Sequence, residues 1–222
     1  PGFMPGDRHV FLDFAAGGDE NVIGVRHGNR AWIEDAWREK DTMNAIGRFL
    51  IGLNNLKETI NLKPSEVEGD NDGLGKPFID ALHQAGWPII ATHNGAPPLY
   101  DQDYKNRSSE AWGEAAKRIR NADIIIPNDD DLKAQLVTRC MKRDSRGKFW
   151  IEPKSDLAKA VPGGRPPMPS PDRADAICFA LLPSPNLQSQ SIGQPGGPID
   201  ITTEILEDST SSLSPTGYSA GW

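Results

Sequence analysis

Three apolar, strand-like segments crowd into the first 37 residues, and they constrain the fold more than anything else in the chain. They are His9–Ala15 (HVFLDFA), Asn21–Arg26 (NVIGVR) and Arg30–Trp37 (RAWIEDAW). The last two are joined by His27-Gly28-Asn29, good hairpin chemistry because Gly and Asn tolerate positive φ. Beyond them strands and helices alternate. Asp41 is placed to cap a helix with Ile46, Phe49, Leu50 and Leu53 on one stripe. Ser65–Asp70 reads as a short strand, Lys76–Ala85 as a helix and Trp87–Thr92 as a buried strand. A helix starts at Ser108 or Ser109 and runs to Arg120; Asp123–Pro127 reads as an edge strand. Asp129 caps a helix to about Cys140, Lys148–Glu152 is a strand, and Ser170-Pro171 opens a last helix to Leu182. Hairpin-linked strands followed by strand–helix alternation argue for an α/β fold with a mixed sheet.

Acidic residues stand where this pattern makes them costly. Asp13 ends the first apolar strand and is followed by Gly17, Gly18 and Asp19. Its placement suits a ligand site beyond a strand's carboxyl end, or a plain turn cap. Asp70 repeats the arrangement before Asn71-Asp72-Gly73-Leu74-Gly75, a glycine turn with Glu68 close by. Asp172 and Asp175 lie three apart at the start of the last helix, where they share a face and complement the helix dipole. Asp175 also adjoins the apolar stripe of Ala174, Ile177, Cys178 and Leu181, a poor place for a merely solvated charge. Carboxylates from two strand ends and a helix start can converge on hard divalent cations such as Mg²⁺ or Mn²⁺. Two such ions can activate water and stabilise the leaving oxygen of a phosphodiester. No His-x-His, Cys-x-x-Cys or His-Glu-x-x-His spacing points to zinc, and no Gly-x-x-x-x-Gly-Lys-Ser/Thr loop points to ATP.

Composition removes further classes. The net charge of −7 argues against a generic polycationic nucleic-acid binder, though not against an enzyme that meets DNA through metal ions. No run approaches the roughly 18 apolar residues of a membrane span. Two cysteines, Cys140 and Cys178, make no disulfide framework and suit a reducing cytoplasm. The opening Pro1–Gly6 looks like a cut end, so a longer polypeptide is expected. Residues 183–222 hold five prolines, eight serines, four acids and no Lys or Arg, the signature of a flexible acidic tail. The expected division is a folded domain over 1–182 and that tail over 183–222; Ile199–Leu206 could order on a partner.

Taken together, these segments resemble the C-terminal nuclease domain of the large terminase subunit of tailed bacteriophages, over about residues 8–182. The likeness is carried by Phe11-Leu12-Asp13-Phe14-Ala15 with Gly17-Gly18-Asp19, and by Glu68-Gly69-Asp70 with Gly73 and Gly75. Lys105-Asn106-Arg107 before Trp112, Asp129-Asp130-Asp131-Leu132 with Gln135-Leu136, and Ile151-Glu152-Pro153-Lys154 continue it. Ser170-Pro171-Asp172-Arg173-Ala174-Asp175-Ala176 is its most specific portion. The resemblance implies an RNase H-like mixed β-sheet flanked by helices. It also implies metal-dependent endonucleolytic cutting of double-stranded viral DNA concatemers during genome packaging. Asp13, Asp70 and Asp175 would be the catalytic metal ligands for two Mg²⁺ or Mn²⁺ ions, with Asp172 and Asp19 auxiliary. Lys154 would contact DNA phosphate or orient a carboxylate, unless it is a plain surface lysine. The implied partners are double-stranded DNA, the portal protein, the small terminase subunit and an ATPase domain of the same polypeptide, with no membrane. The implied location is the cytoplasm of the infected host, at the procapsid portal. A junction resolvase without a packaging role and a non-catalytic portal-docking module are the alternatives. One departure from the pattern is the Pro/Gly-rich stretch 162–169, which bears on where Asp175 is placed.

Overall fold

The computed structural model describes residues 2–157, 159 and 168–183. Most of the stretch 162–169 and, apart from Pro183, the expected tail lie outside them.

The three early segments form strands β1 (Arg8–Asp13), β2 (Asn21–His27) and β3 (Arg30–Trp37). β1 runs antiparallel to β2, and β2 to β3 through the tight turn at Gly28, whose φ is +58°. Two further strands, β4 (Val67–Asp70) and β5 (Ile90–Thr92), extend the sheet in parallel on the other side of β1. The order is β3-β2-β1-β4-β5. Helices α1 (Thr42–Ile60) and α2 (Gly75–Gln84) cover one face; α3 (Arg107–Arg120), α4 (Asp130–Leu136) and α6 (Asp172–Ala180) cover the other. The short α5 (Lys154–Leu157) lies between α4 and α6 in the chain.

Because the sheet is covered on both faces, β1 is apolar on both. Val10 and Leu12 enter the core under α1 and α2, whereas Phe11 enters the core under α3 and α6. Phe11 stacks on Phe179 of α6, ring centroids 4.3 Å apart. Every residue of α6 except Arg173 is buried, and the helix rests on β2 at Gly24, where a Cβ would lie 2.7 Å from the Ala176 carbonyl. That close approach sets the height of α6 above the sheet.

Several elements differ from their sequence expectation. Trp87 and Ile89 are buried as expected, yet only Ile90–Thr92 pairs, and it forms a partly exposed edge. Asp123–Pro127 is not a strand; its one ladder contact is a bridge from Ile125 to Arg30. Asn106, not a serine, caps α3, its side chain accepting from the Ser109 amide. α4 ends at Leu136, and the chain then forms β6 (Met141–Arg143), the antiparallel partner of β7 (Phe149–Ile151) in a separate two-stranded sheet. Pro171 occupies the N-cap of α6, and the Ser170 hydroxyl bonds the Asp172 carboxylate instead of capping the helix.

Candidate active site

Asp13 and Asp70 are the next residues after the paired Leu12 and Gly69, so two parallel strands deliver both carboxylates to one sheet end. By alternation along the strands, Asp13 shares the face of Phe11 and Asp70 that of Glu68, the side covered by α3 and α6. The first turn of α6 brings Asp172 and Asp175 to the same place, both 3% exposed. Lys154, at the start of α5, completes the group. Its Nζ lies 3.3 Å from Asp13 Oδ2, 3.2 Å from Asp172 Oδ1 and 3.0 Å from Asp175 Oδ2. The cluster opens into a cavity of about 450 Å³ lined also by Asp19, Asp70 and Gly73.

The carboxylates are held in unequal ways. Asp70 is fixed at both oxygens: Oδ1 accepts from the Asp72 amide at 2.9 Å and Oδ2 from Asn94 Nδ2 at 2.7 Å. Asp72 is itself bound by His93 Nδ1 at 2.8 Å and by the Asn94 amide at 2.9 Å, so the glycine turn is stapled to the loop after β5. Asp172 accepts from the Glu20 amide at 2.9 Å and from Ser170. Asp175 Oδ1 receives Trp112 Nε1 at 2.5 Å and Arg139 Nη1 at 2.7 Å. Among the described residues, Asp13 has Lys154 as its single side-chain partner.

Electrostatics follow this inventory. Burial pushes the Asp13 carboxyl up to about 8, against the pull of Lys154 and with help from Asp172, Asp175 and Asp70. Burial likewise raises Asp70 to about 6, opposed by the Asp72 amide. Asp19 is raised by burial and by Asp172, although it sits exposed at the cavity's rim. Asp175 is buried too, but Lys154, Arg139 and the Trp112 donor outweigh that burial and hold it below the usual carboxylate range. Lys154 is desolvated, yet Asp13, Asp175 and Asp172 keep its ammonium charged.

The three expected core ligands, Asp13, Asp70 and Asp175, therefore come to one place with the auxiliary Asp172 and with Lys154, and Asp19 stands at the edge. Glu68 does not join them. It is buried beside Arg107, 3.5 Å away, and accepts from Thr92 at 3.0 Å, a structural pair behind the site. Trp112, Arg139 and Asn94 are site residues that reasoning from sequence missed. Trp112 and Asn106-Arg107 lay within a segment of the resemblance, but Arg139 and Asn94 carried no signal.

Carboxylate oxygens without His or Cys are the donor set of a hard divalent cation. Burial raises the carboxyls of Asp13 and Asp70, and a cation bound beside them would favour their charged forms. The residues present thus fit Mg²⁺ or Mn²⁺ in kind. Among the described residues no three carboxylate or imidazole groups form a ready-made cage; Lys154 draws Asp13, Asp172 and Asp175 together instead.

No family model and no curated protein matches the sequence. Solved structures do match in fold. A lysine-to-alanine variant of the nuclease domain of the large terminase subunit of bacterial virus Sf6, with manganese and β-thujaplicinol, superposes with a TM-score of 0.63 at 17% identity, covering 80% of this chain and 88% of that one. The large terminase nuclease of thermophilic phage G20c with bound magnesium gives 0.53 at 14% identity over 78% and 79%. The large terminase nuclease domain of Thermus phage P74-26 gives 0.50 at 12% identity over 78% and 77%.

Proposed function

We propose that this chain, which has the fold of the large terminase nuclease domains of phages, a five-stranded mixed sheet between two helical layers, is a divalent-metal-dependent endonuclease that cuts double-stranded viral DNA concatemers during genome packaging. The observation that carries the reading is the meeting of Asp13, Asp172 and Asp175 around Lys154 at one sheet end, with Asp70 lining the same cavity. The likeness to metal-bound terminase nucleases supports it, because the same fold carries an acidic site here.

In this reading Asp13, Asp70 and Asp175 hold two Mg²⁺ or Mn²⁺ ions, with Asp172 and Asp19 as auxiliary ligands. Bound metal supplies Lewis acidity toward phosphate and a more acidic water. Asp13 offers the least restrained of the buried carboxylates, whereas Asp70, Asp172 and Asp175 are each held at both oxygens. Asp172, tied to the Glu20 amide, fixes the start of α6 to the loop after β1. Lys154 keeps these acids gathered and its charge lies where a phosphate would approach. An ATPase domain, the portal and the small terminase subunit are the partners this role requires, in the host cytoplasm. Among the described residues no helix is long and apolar enough to cross a membrane.

The test is cleavage of linear duplex and of a four-way junction with Mn²⁺, against the same protein in EDTA. Metal-dependent cutting of the duplex without preference for the junction supports the packaging nuclease. Strong junction preference would favour a resolvase. No cutting of either would leave a docking module.

A further inference from the structure

Asp175 has two oxygens in two different situations. Oδ1 takes the Trp112 indole N–H at 2.5 Å and the Arg139 guanidinium at 2.7 Å. Oδ2 faces the Lys154 ammonium at 3.0 Å, on the side of the cluster. The clamp on Oδ1 is itself rigid. Arg139 Nε donates to the Glu152 carbonyl at 2.8 Å, and the guanidinium lies 5.1 Å from the Trp112 ring centroid. The Arg139 side chain is 4% exposed and Trp112 6%. A planar guanidinium fixed by a carbonyl, a stack and a carboxylate has little freedom left.

Topology explains why both cations reach this one acid. Arg139 precedes β6 and Lys154 follows β7, so the two stalks of a single hairpin grip Asp175 from opposite oxygens. Trp112 comes from α3 and Asp175 from α6, helices packed side by side over the sheet.

We infer that Trp112 and Arg139 are positioning residues that occupy Oδ1 of Asp175 and leave Oδ2 as the one oxygen it offers to a divalent cation. The inference rests on the reading of the cluster as a metal-dependent nuclease site. Asp175 is then a one-oxygen ligand. A carboxylate already turned and held does not lose its rotational freedom on binding the ion, which is what outer partners of metal ligands contribute.

Trp112→Phe tests this, because it removes the single N–H and keeps an aromatic ring against Ala115 and Cys178. Mn²⁺ affinity is measured by electron paramagnetic resonance on the protein without DNA, and cleavage is followed alongside. The expected result is Mn²⁺ binding weaker by about tenfold, a lower kcat and an unchanged KM for DNA. In an Asp175→Asn background Trp112→Phe changes Mn²⁺ affinity no further, because the ligand it serves is gone. Arg139→Lys keeps the charge and loses the planar fork; it weakens Mn²⁺ binding in the same direction, and carries the test should Trp112→Phe not fold. A melting temperature lowered with wild-type Mn²⁺ affinity would show a packing role and overturn the inference. So would an equal loss of affinity in the Asp175→Asn background. A wild-type protein that neither binds Mn²⁺ nor cleaves would instead overturn the reading of the site.

Discussion

At the scale of single residues, Asp13, a proposed metal ligand, carries a cost in stability. Its carboxyl is raised to about 8 in the fold and titrates near 4 in an unfolded chain. The folded state therefore holds a proton that the unfolded state has released, and stability falls as pH rises from about 4 to 8. Asp13→Asn should abolish metal-dependent cleavage, yet melt higher than wild type at pH 8 in EDTA, with the gap closing toward pH 4. Calorimetry at both pH values checks this. His9 acts at the other end of the scale. It has no exposure, bonds the Leu182 carbonyl, and stands 3.9 Å from Glu68 with Arg26 and Arg107 near. Burial lowers it from 6.5 to about 4, so acid is taken up by the unfolded chain first and stability falls as pH drops between those values. His9→Gln should flatten that part of the urea-stability profile. The acids of the site could be read from sequence because a charge ending an apolar strand, or bordering a buried helical stripe, demands a reason. Their partners could not be: Trp112 is 63 residues from Asp175 and Arg139 is 36, and no local pattern records such a contact.

Secondary-structure elements place those residues, and glycine decides how closely two of them pack. A Cβ at Gly24 would meet the Ala176 backbone at 2.7 Å. Gly24→Ala should push α6 away from β2, cost about 1–3 kcal/mol of stability, and cut cleavage sharply because Asp172 and Asp175 ride on that helix. Gly47→Ala in α1 is the matched control. Apart from its chain neighbours and the backbone of its own helix, nothing lies within 4 Å of the added methyl, and the change should raise stability by about 0.5–1 kcal/mol with cleavage unchanged. Denaturant titration and a cleavage assay read both. Long amphipathic elements were legible in sequence: α1 with its Asp41 cap, α2, and the β2–β3 hairpin all stand where the pattern puts them. Short ones were not. Asp123–Pro127 is apolar enough for a strand but meets β3 through a single bridge, Ile125 with Arg30, and β6 is three residues of Met, Lys and Arg, without an apolar alternation to announce it. β5 is shorter than its apolar run because Trp87 and Ile89 are spent on packing against α1 and α2 rather than on pairing.

For the molecule as a whole, the proposed metal site would link ion binding to folding. A cation that binds only the folded state stabilises it by about 2.7 kcal/mol at a hundredfold excess over Kd. Mn²⁺ should therefore raise the melting temperature, and the increment should shrink in Asp70→Asn, whose amide cannot supply an anionic ligand. Equal increments in the two proteins would remove Asp70 from the site. The proposed role of the carboxylates at this sheet end, beside Lys154, is metal-dependent cleavage of DNA. Nicking of supercoiled plasmid tests it most directly, with wild type and Asp13→Asn assayed side by side in EDTA and after Mn²⁺ is restored. Wild type should cut with Mn²⁺ and not in EDTA, and Asp13→Asn should cut in neither condition. Undiminished Mn²⁺-dependent nicking by Asp13→Asn would contradict that role.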